Sequence, residues 1–572
     1  MPSTIAAPVR HFVPESIDLS DVEQLKPLYQ TLLNRRLQST GDLERWLADF
    51  SELSAAVDEY GSRRYIDKSC HTDDPVIEQR FMQFVEQVEP KIKPLYFELQ
   101  KKFLATDAVS LLDERRYGIL IRKWRADVEL FRQENIELET ELTRLNNDYD
   151  KRSGAMTVLF EGKERTMQQM ARYAEQTDRG LRQRAWELSA NRRLQDREAI
   201  DGIFDQLMAI RSKIAANANL PDYRGYVWKA YKRFDYSPQQ CMQFADAIAA
   251  ACVPLVKKLD AERQEDLGLT HLRPWDTTVD PKNRNPLEPF HEGETTAFID
   301  KTKAIFNRLS PELAEQFETL RTNGNLDLES RKGKQPGGYQ SSLEESRQPF
   351  IFMNAAGLQR DVETLLHEGG HAFHHLAASQ EPLVFLRSAP MEFCEVASMS
   401  MELLGGEHFD VFYTQADAAR ALRVMLEGII RFLPWMATID SFQHWLYENP
   451  GHTRTQRTTQ WLSILDRFSG NVDWTGYEAV RESSWQRQLH LFHAPFYYIE
   501  YGIAQLGALQ LWLKAKEDPR RALANYRAAL KLGGTRSLPE LFNAAGIRFD
   551  FSEKTLRPLM TAIADELAGL PA

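Results

Sequence analysis

From about residue 19 to residue 106, apolar residues recur every three or four positions with few turn clusters between them. That is the spacing of helices that each bury one face. Ser39-Thr40-Gly41-Asp42 and His71-Thr72-Asp73-Asp74-Pro75 interrupt the pattern and read as helix boundaries, since Ser and Asp cap helix N-termini and Pro suits the first turn. The longest periodic run follows: Ile121, Trp124, Val128, Phe131, Asn135, Leu138, Leu142, Leu145 and Tyr149. As a two-stranded coiled coil it would take its register from Asn135. Leu130 and Ile136 widen the stripe, which favours a long helix packed inside a helical lobe.

Residues 150–154 end that run, and 155–166 read as a small hairpin turning at Glu161-Gly162. Helical spacing resumes from Met167 to about Ala218, and a Tyr-rich stretch, 223–236, punctuates it. Pro274, Pro281 and Pro286 mark 271–289 as loop. Residues 331–339 read as a flexible Gly-rich loop without the spacing of a phosphate cradle. Next, 349–354 (Pro-Phe-Ile-Phe-Met-Asn) is a short apolar strand. Two readings of it balance: an edge strand that pairs with an extended peptide, or a buried strand supporting the helix that follows. The expected architecture is mainly α, with an N-terminal helical lobe over 1–180, a second lobe over 181–572, and a small β element.

Composition narrows the function classes. The chain has 572 residues, 43% hydrophobic and 27% charged, enough for a large core. A net charge of −11 argues against a nucleic-acid partner, which needs a concentrated basic surface. Cys70, Cys241, Cys252 and Cys394 stand far apart with no Cys-x-x-Cys pair, which suits a reducing compartment and excludes a cysteine-cluster metal site. The first 22 residues lack a continuous apolar core, and eighteen apolar residues never run together. The expectation is a cytoplasmic protein with no membrane partner.

The chemistry is concentrated in His367-Glu368-Gly369-Gly370-His371. Residues four apart share a helix face, so two imidazoles can meet one metal ion, and Glu368 is placed to take a proton from water activated there. Leu365, Leu366, Phe373 and Leu376 surround the pair, so the helix is expected to be buried. A third ligand is required. His374 and Ala377 stand where a metzincin would need Gly and His, so that pattern is excluded. His375 shares the face of His371 but lies roughly 12 Å along the axis from His367, so one ion cannot bind both. His374 and His375 are expected to pack or to support the ligands. Among the acids, Glu392 and Glu395 lie one turn apart on a later helical stretch, and Glu381 lies on the loop between. Spacing does not choose among them.

His367-Glu368-Gly369-Gly370-His371 followed by Glu395-Val396-Ala397-Ser398 resembles the thimet oligopeptidase and oligoendopeptidase F family of zinc peptidases. So do the Pro-Gly-Gly-Tyr and Pro-Phe-Ile-Phe segments, and the element His490-Leu491-Phe492-His493-Ala494-Pro495-Phe496-Tyr497-Tyr498-Ile499-Glu500-Tyr501-Gly502. The resemblance implies a two-lobed helical zincin with a deep central channel that admits unstructured oligopeptides. It implies one Zn2+ per chain on His367, His371 and Glu395, with Glu368 as general base. Hydrogen bonds to the oxyanion are implied for Tyr498, Tyr501 and His490, with His493 as an alternative imidazole. Glu392 or Glu402 is expected to support a ligand histidine. The expected activity is cleavage of internal bonds in short peptides. The alternatives are a zinc carboxypeptidase on a related helical fold, or a helical interaction protein joined through the 121–149 seam. The expected oligomeric state is monomer or dimer.

Overall fold

The structure is a computed structural model that describes residues 9–571 except 292, 332, 333 and 336. Helices dominate it. The capping residues set their starts: Ser39 and Asp42 form a reciprocal capping box at helix Thr40–Cys70. Asp74 accepts from the backbone of Val76 and Ile77 at the start of Pro75–Gln83, as free N-terminal N–H groups require.

The chain divides into two compact units. One comprises residues 1–129, 288–422 and 504–549; the other comprises 130–287, 423–503 and 550–572. Each is assembled from three separated stretches, a different partition from a single cut at 180.

In the first unit the N-terminal helices close on an aromatic core. Trp46 stacks on Phe103 at 6.2 Å between centroids, and Phe103 meets Trp124 edge-on at 4.8 Å. Phe50 packs on Phe385 at 4.9 Å. Each such side chain contributes about 1.5–3 kcal/mol by leaving water. The same unit holds a three-stranded sheet, in which Gln348–Ala355 is the central strand. It pairs parallel with Leu326–Glu329 and antiparallel with Tyr339–Leu343. The edge-strand reading of 349–354 is therefore wrong, and the supporting-strand reading holds. The edge beside it is Tyr339–Leu343, whose Gln340, Ser341 and Ser342 carry little of the apolar signal that marks a strand.

Part of the Gly-rich loop is tied down. The Lys334 ammonium donates to the carbonyls of Asp327 (2.9 Å) and Glu329 (2.8 Å) and pairs with the Asp327 carboxylate at 2.8 Å. Asn354 donates to the Gln335 carbonyl at 2.6 Å. The expectation of flexibility fails at these positions, while Lys332, Gly333 and Pro336 lie outside the described residues, as do residues 1–8 of the N-terminal stretch.

The periodic run 121–149 is two helices, Glu114–Leu130 and Asn135–Gly154, separated by a turn. Asn135 starts the second helix within the second unit. It is buried, donates to the Ile214 carbonyl at 3.2 Å and accepts from Asn217 at 2.8 Å. Its partners lie within the chain, so the coiled-coil reading loses its seam. The hairpin is as expected: Thr157–Phe160 pairs antiparallel with Lys163–Thr166, and Glu161 and Gly162 turn with φ of 50° and 74°. Among the described residues no helix is long and apolar enough to cross a membrane.

Candidate metal centre

Helix Gln359–Ala378 begins where Asp361, in its first turn, accepts the backbone N–H groups of Ala356 (2.7 Å) and Leu358 (2.9 Å). Two turns on, it presents His367 and His371 on one face, their rings 4.9 Å apart. Helix Met391–Gly406 packs against it and supplies Glu395. One Glu395 oxygen lies 3.4 Å from Nε2 of His367 and 3.6 Å from Nε2 of His371. A tetrahedral ion with ligands at about 2.0–2.1 Å needs donor separations of about 3.3–3.4 Å, so these donors fit a zinc-sized ion. Of the acids left open by spacing, Glu395 joins the two imidazoles. Glu381 instead pairs with Arg116 at 2.7 Å.

Outer partners orient the set. Glu402, two turns beyond Glu395, lies 2.6 Å from Nδ1 of His367, which leaves Nε2 for an ion. The Ser398 hydroxyl donates to the Glu395 carboxylate at 3.0 Å, which gives the serine of the Glu-Val-Ala-Ser element a role. Burial works against charge on His367, yet Glu395 and Glu402 outweigh it and hold this imidazole well above its ordinary pKa. Burial would likewise raise Glu395, but His367 and His371 hold it well below the usual carboxylate range. Glu368 is 6% exposed, and burial raises its pKa against the pull of His367 and His371. His374 packs on Phe393, and burial pushes its pKa down to about 3. His375 lies 4.0 Å from Glu344. Neither joins the ligand group.

The glycines between the ligands have a steric cause that the motif alone does not reveal. A Cβ on Gly370 would stand 2.6 Å from the Ala397 carbonyl oxygen and 2.6 Å from the Ser398 Cα, backbone atoms that cannot turn aside. Tyr526 donates to that same carbonyl at 2.8 Å. Gly370 thus lets the two ligand-bearing helices approach closely enough for Glu395 to reach the histidines. Gly370→Ala is expected to cost about 1–3 kcal/mol by overpacking and to weaken metal retention. Thermal unfolding and metal analysis check this, and an unchanged melting temperature with full metal content would contradict it.

In the second unit His490, Tyr498 and Tyr501 come together. Ring centroids lie 4.8 Å apart for His490 and Tyr498, 6.0 Å for His490 and Tyr501, and 5.7 Å for the two tyrosines. His493 instead faces Tyr149 edge-on. A relay absent from the sequence reading sets the tautomer of His490. Trp435 Nε1 donates to Gln488 Oε1 at 3.2 Å, and Gln488 Nε2 lies 2.8 Å from His490 Nδ1. The indole N–H can only donate, so it orients the amide, whose NH2 then donates to Nδ1. The proton must sit on Nε2. Burial, with His493 nearby, lowers the His490 pKa to about 4, so at neutral pH it is an uncharged N–H donor. Gln488→Glu presents an acceptor to Nδ1 and reverses that preference. It is expected to raise the His490 pKa, as NMR titration would read, and an unmoved titration would refute the relay.

The model of peptidase family M3 matches residues 172–561, and that of the peptidase M3 N-terminal domain matches 12–131. An oligoendopeptidase F homologue of Mycoplasma pneumoniae is 22% identical over 425 residues, covering 68% of this chain and 66% of that protein. Oligopeptidase PepF of Bacillus subtilis is 23% identical over 309 residues, covering 52% of this chain and 44% of its own. The matched stretches thus span 66% and 44% of these two curated relatives. Among solved structures, PZ peptidase A with a bound inhibitor is 27% identical, with a TM-score of 0.89 over 96% of this chain and 98% of that one. The chain belongs to peptidase family M3, a family of metallopeptidases.

Proposed function

We propose that the protein is a zinc-dependent oligoendopeptidase that hydrolyses internal bonds of short, unstructured peptides. The observation that carries this reading is the convergence of His367, His371 and Glu395 on one point, with the buried carboxylate of Glu368 on the same helix. His367, His371 and Glu395 would hold the ion. A divalent ion held there supplies Lewis acidity, polarising a peptide carbonyl and making water more acidic. Glu368 takes the proton of the attacking water and returns it to the leaving amine, so one carboxylate serves first as base and then as acid. His490, Tyr498 and Tyr501 are proposed as donors to the developing oxyanion, where one well-placed donor is typically worth about 3–4 kcal/mol. The neutral Nε2–H of His490 is the protonation state such a donor needs. The cytoplasm remains the proposed compartment, and a division near residue 180 the proposed sequence boundary between modules. The two family models leave 131–172 between them, a gap that ends a few residues before that boundary.

A fluorogenic peptide blocked at both termini tests the endopeptidase reading. Cleavage at an internal bond, lost with a chelator and restored by zinc, is expected. Release of residues only from a free C-terminus would favour a carboxypeptidase instead.

A further inference from the structure

A second group of metal-type donors meets in the interior of the second unit. Cys241 lies near the start of helix Pro238–Ala251, and Asp440 and His444 lie one turn apart on helix Gln415–Glu448. One donor atom from each, a sulfur, a carboxylate oxygen and an imidazole nitrogen, lies within 4.8 Å of the other two. Their exposures are 1%, 1% and 2%.

Buried polar atoms are almost always hydrogen-bonded, and each exception asks for a cause. Here Oδ1 of Asp440 and both ring nitrogens of His444 have no hydrogen-bond partner among the described residues. The two side chains approach to 3.3 Å without forming a hydrogen bond. No lysine or arginine among the described residues pairs with Asp440.

The surroundings hold this pocket shut. Phe496 and Trp228 lie 5.2 and 5.8 Å from the His444 ring. Phe496 adopts a left-handed backbone, φ 66°, and is pinned on both sides. Its N–H donates to Gln443 at 2.6 Å, and its carbonyl accepts from Arg233 at 2.5 Å. An apolar shell of this kind limits solvent access to whatever these donors hold.

We propose that Cys241, Asp440 and His444 form a second, structural metal site for a thiophilic divalent ion such as zinc. Loading exchanges the thiol proton of Cys241, released to solvent, for a sulfur–metal bond. A thiolate and a carboxylate then neutralise the divalent charge while the imidazole stays neutral, so no net charge is left in the dry interior. Sulfur together with imidazole selects zinc or cobalt over magnesium or calcium.

Cobalt substitution separates this site from the first, because His367, His371 and Glu395 include no sulfur. In the full-length chain loaded with Co(II), a near-ultraviolet thiolate-to-cobalt band is expected, together with two ions per chain. In a His367→Ala/His371→Ala variant the band persists and one ion remains. In Cys241→Ser the band disappears and one ion is lost. Should Cys241→Ser fail to fold, the wild-type and double-variant spectra still decide. One ion per chain with no band in the wild type would overturn the proposal and leave a buried water as the occupant. A band that survives in folded Cys241→Ser would overturn it equally.

Discussion

Glu368→Gln is expected to lower kcat by roughly 10²–10⁴-fold, the range for a positioned general base, while the protein keeps the ion held by His367, His371 and Glu395. The amide has nearly the shape of the carboxylate, so packing at this 6%-exposed position should survive. What it loses is the ability to accept a proton. KM should change far less than kcat, because the lost interaction belongs to the reacting water and not to substrate binding. Steady-state kinetics alongside metal analysis checks this. A metal-loaded variant with the wild-type rate would remove Glu368 from the mechanism.

Glu395→Ala should abolish activity by a different route, loss of the ion. Two imidazoles alone make an incomplete site, so the drop in metal affinity should exceed the 10–100-fold usual for losing an outer partner. Glu402→Gln, which removes the carboxylate facing Nδ1 of His367 but no ligand, should fall within that smaller range. The metal-free site also predicts a pH dependence. Glu395 and Glu402 raise the pKa of His367 against the effect of burial, so below that raised pKa this imidazole holds a proton in the absence of metal. An ion must displace it. As pH falls below the His367 pKa, apparent affinity should therefore drop about tenfold per pH unit, with one proton released per ion bound. Calorimetry in buffers of different ionisation enthalpy reads that proton. A pH-independent affinity, or an alanine variant that binds as tightly as the wild type, would contradict this picture.

Chemistry was easier to read from the chain than topology. The spacing of His367 and His371 is a property of any helix, so their shared face followed from two letters and a count of four. Glu395 was reachable only through the family resemblance, because Glu392 sits one turn away with the same chemistry and three-dimensional packing alone separates them. The run 121–149 misled for a physical reason. A three-four repeat passes through a short turn without changing phase, so two successive helices look like one. The strand Gln348–Ala355 is legible in the sequence but its central place is not, since its neighbour Tyr339–Leu343 carries half-buried polar residues at 340–342 and leaves little periodic signal. The Trp435–Gln488–His490 relay joins residues 53 apart in sequence across one of its links, and no local pattern announces it. Gly370 is intermediate: the letter was visible, but its cause, the backbone of Ala397 and Ser398, lies on another helix.

The central claim is that two rings and one carboxylate share an ion, and anomalous diffraction at the zinc edge from crystals of the zinc-loaded protein tests it most directly. A peak is expected about 2.0–2.2 Å from Nε2 of His367, Nε2 of His371 and an oxygen of Glu395. No peak at that point, or a peak there with the Glu395 carboxylate turned away from it, would contradict the account.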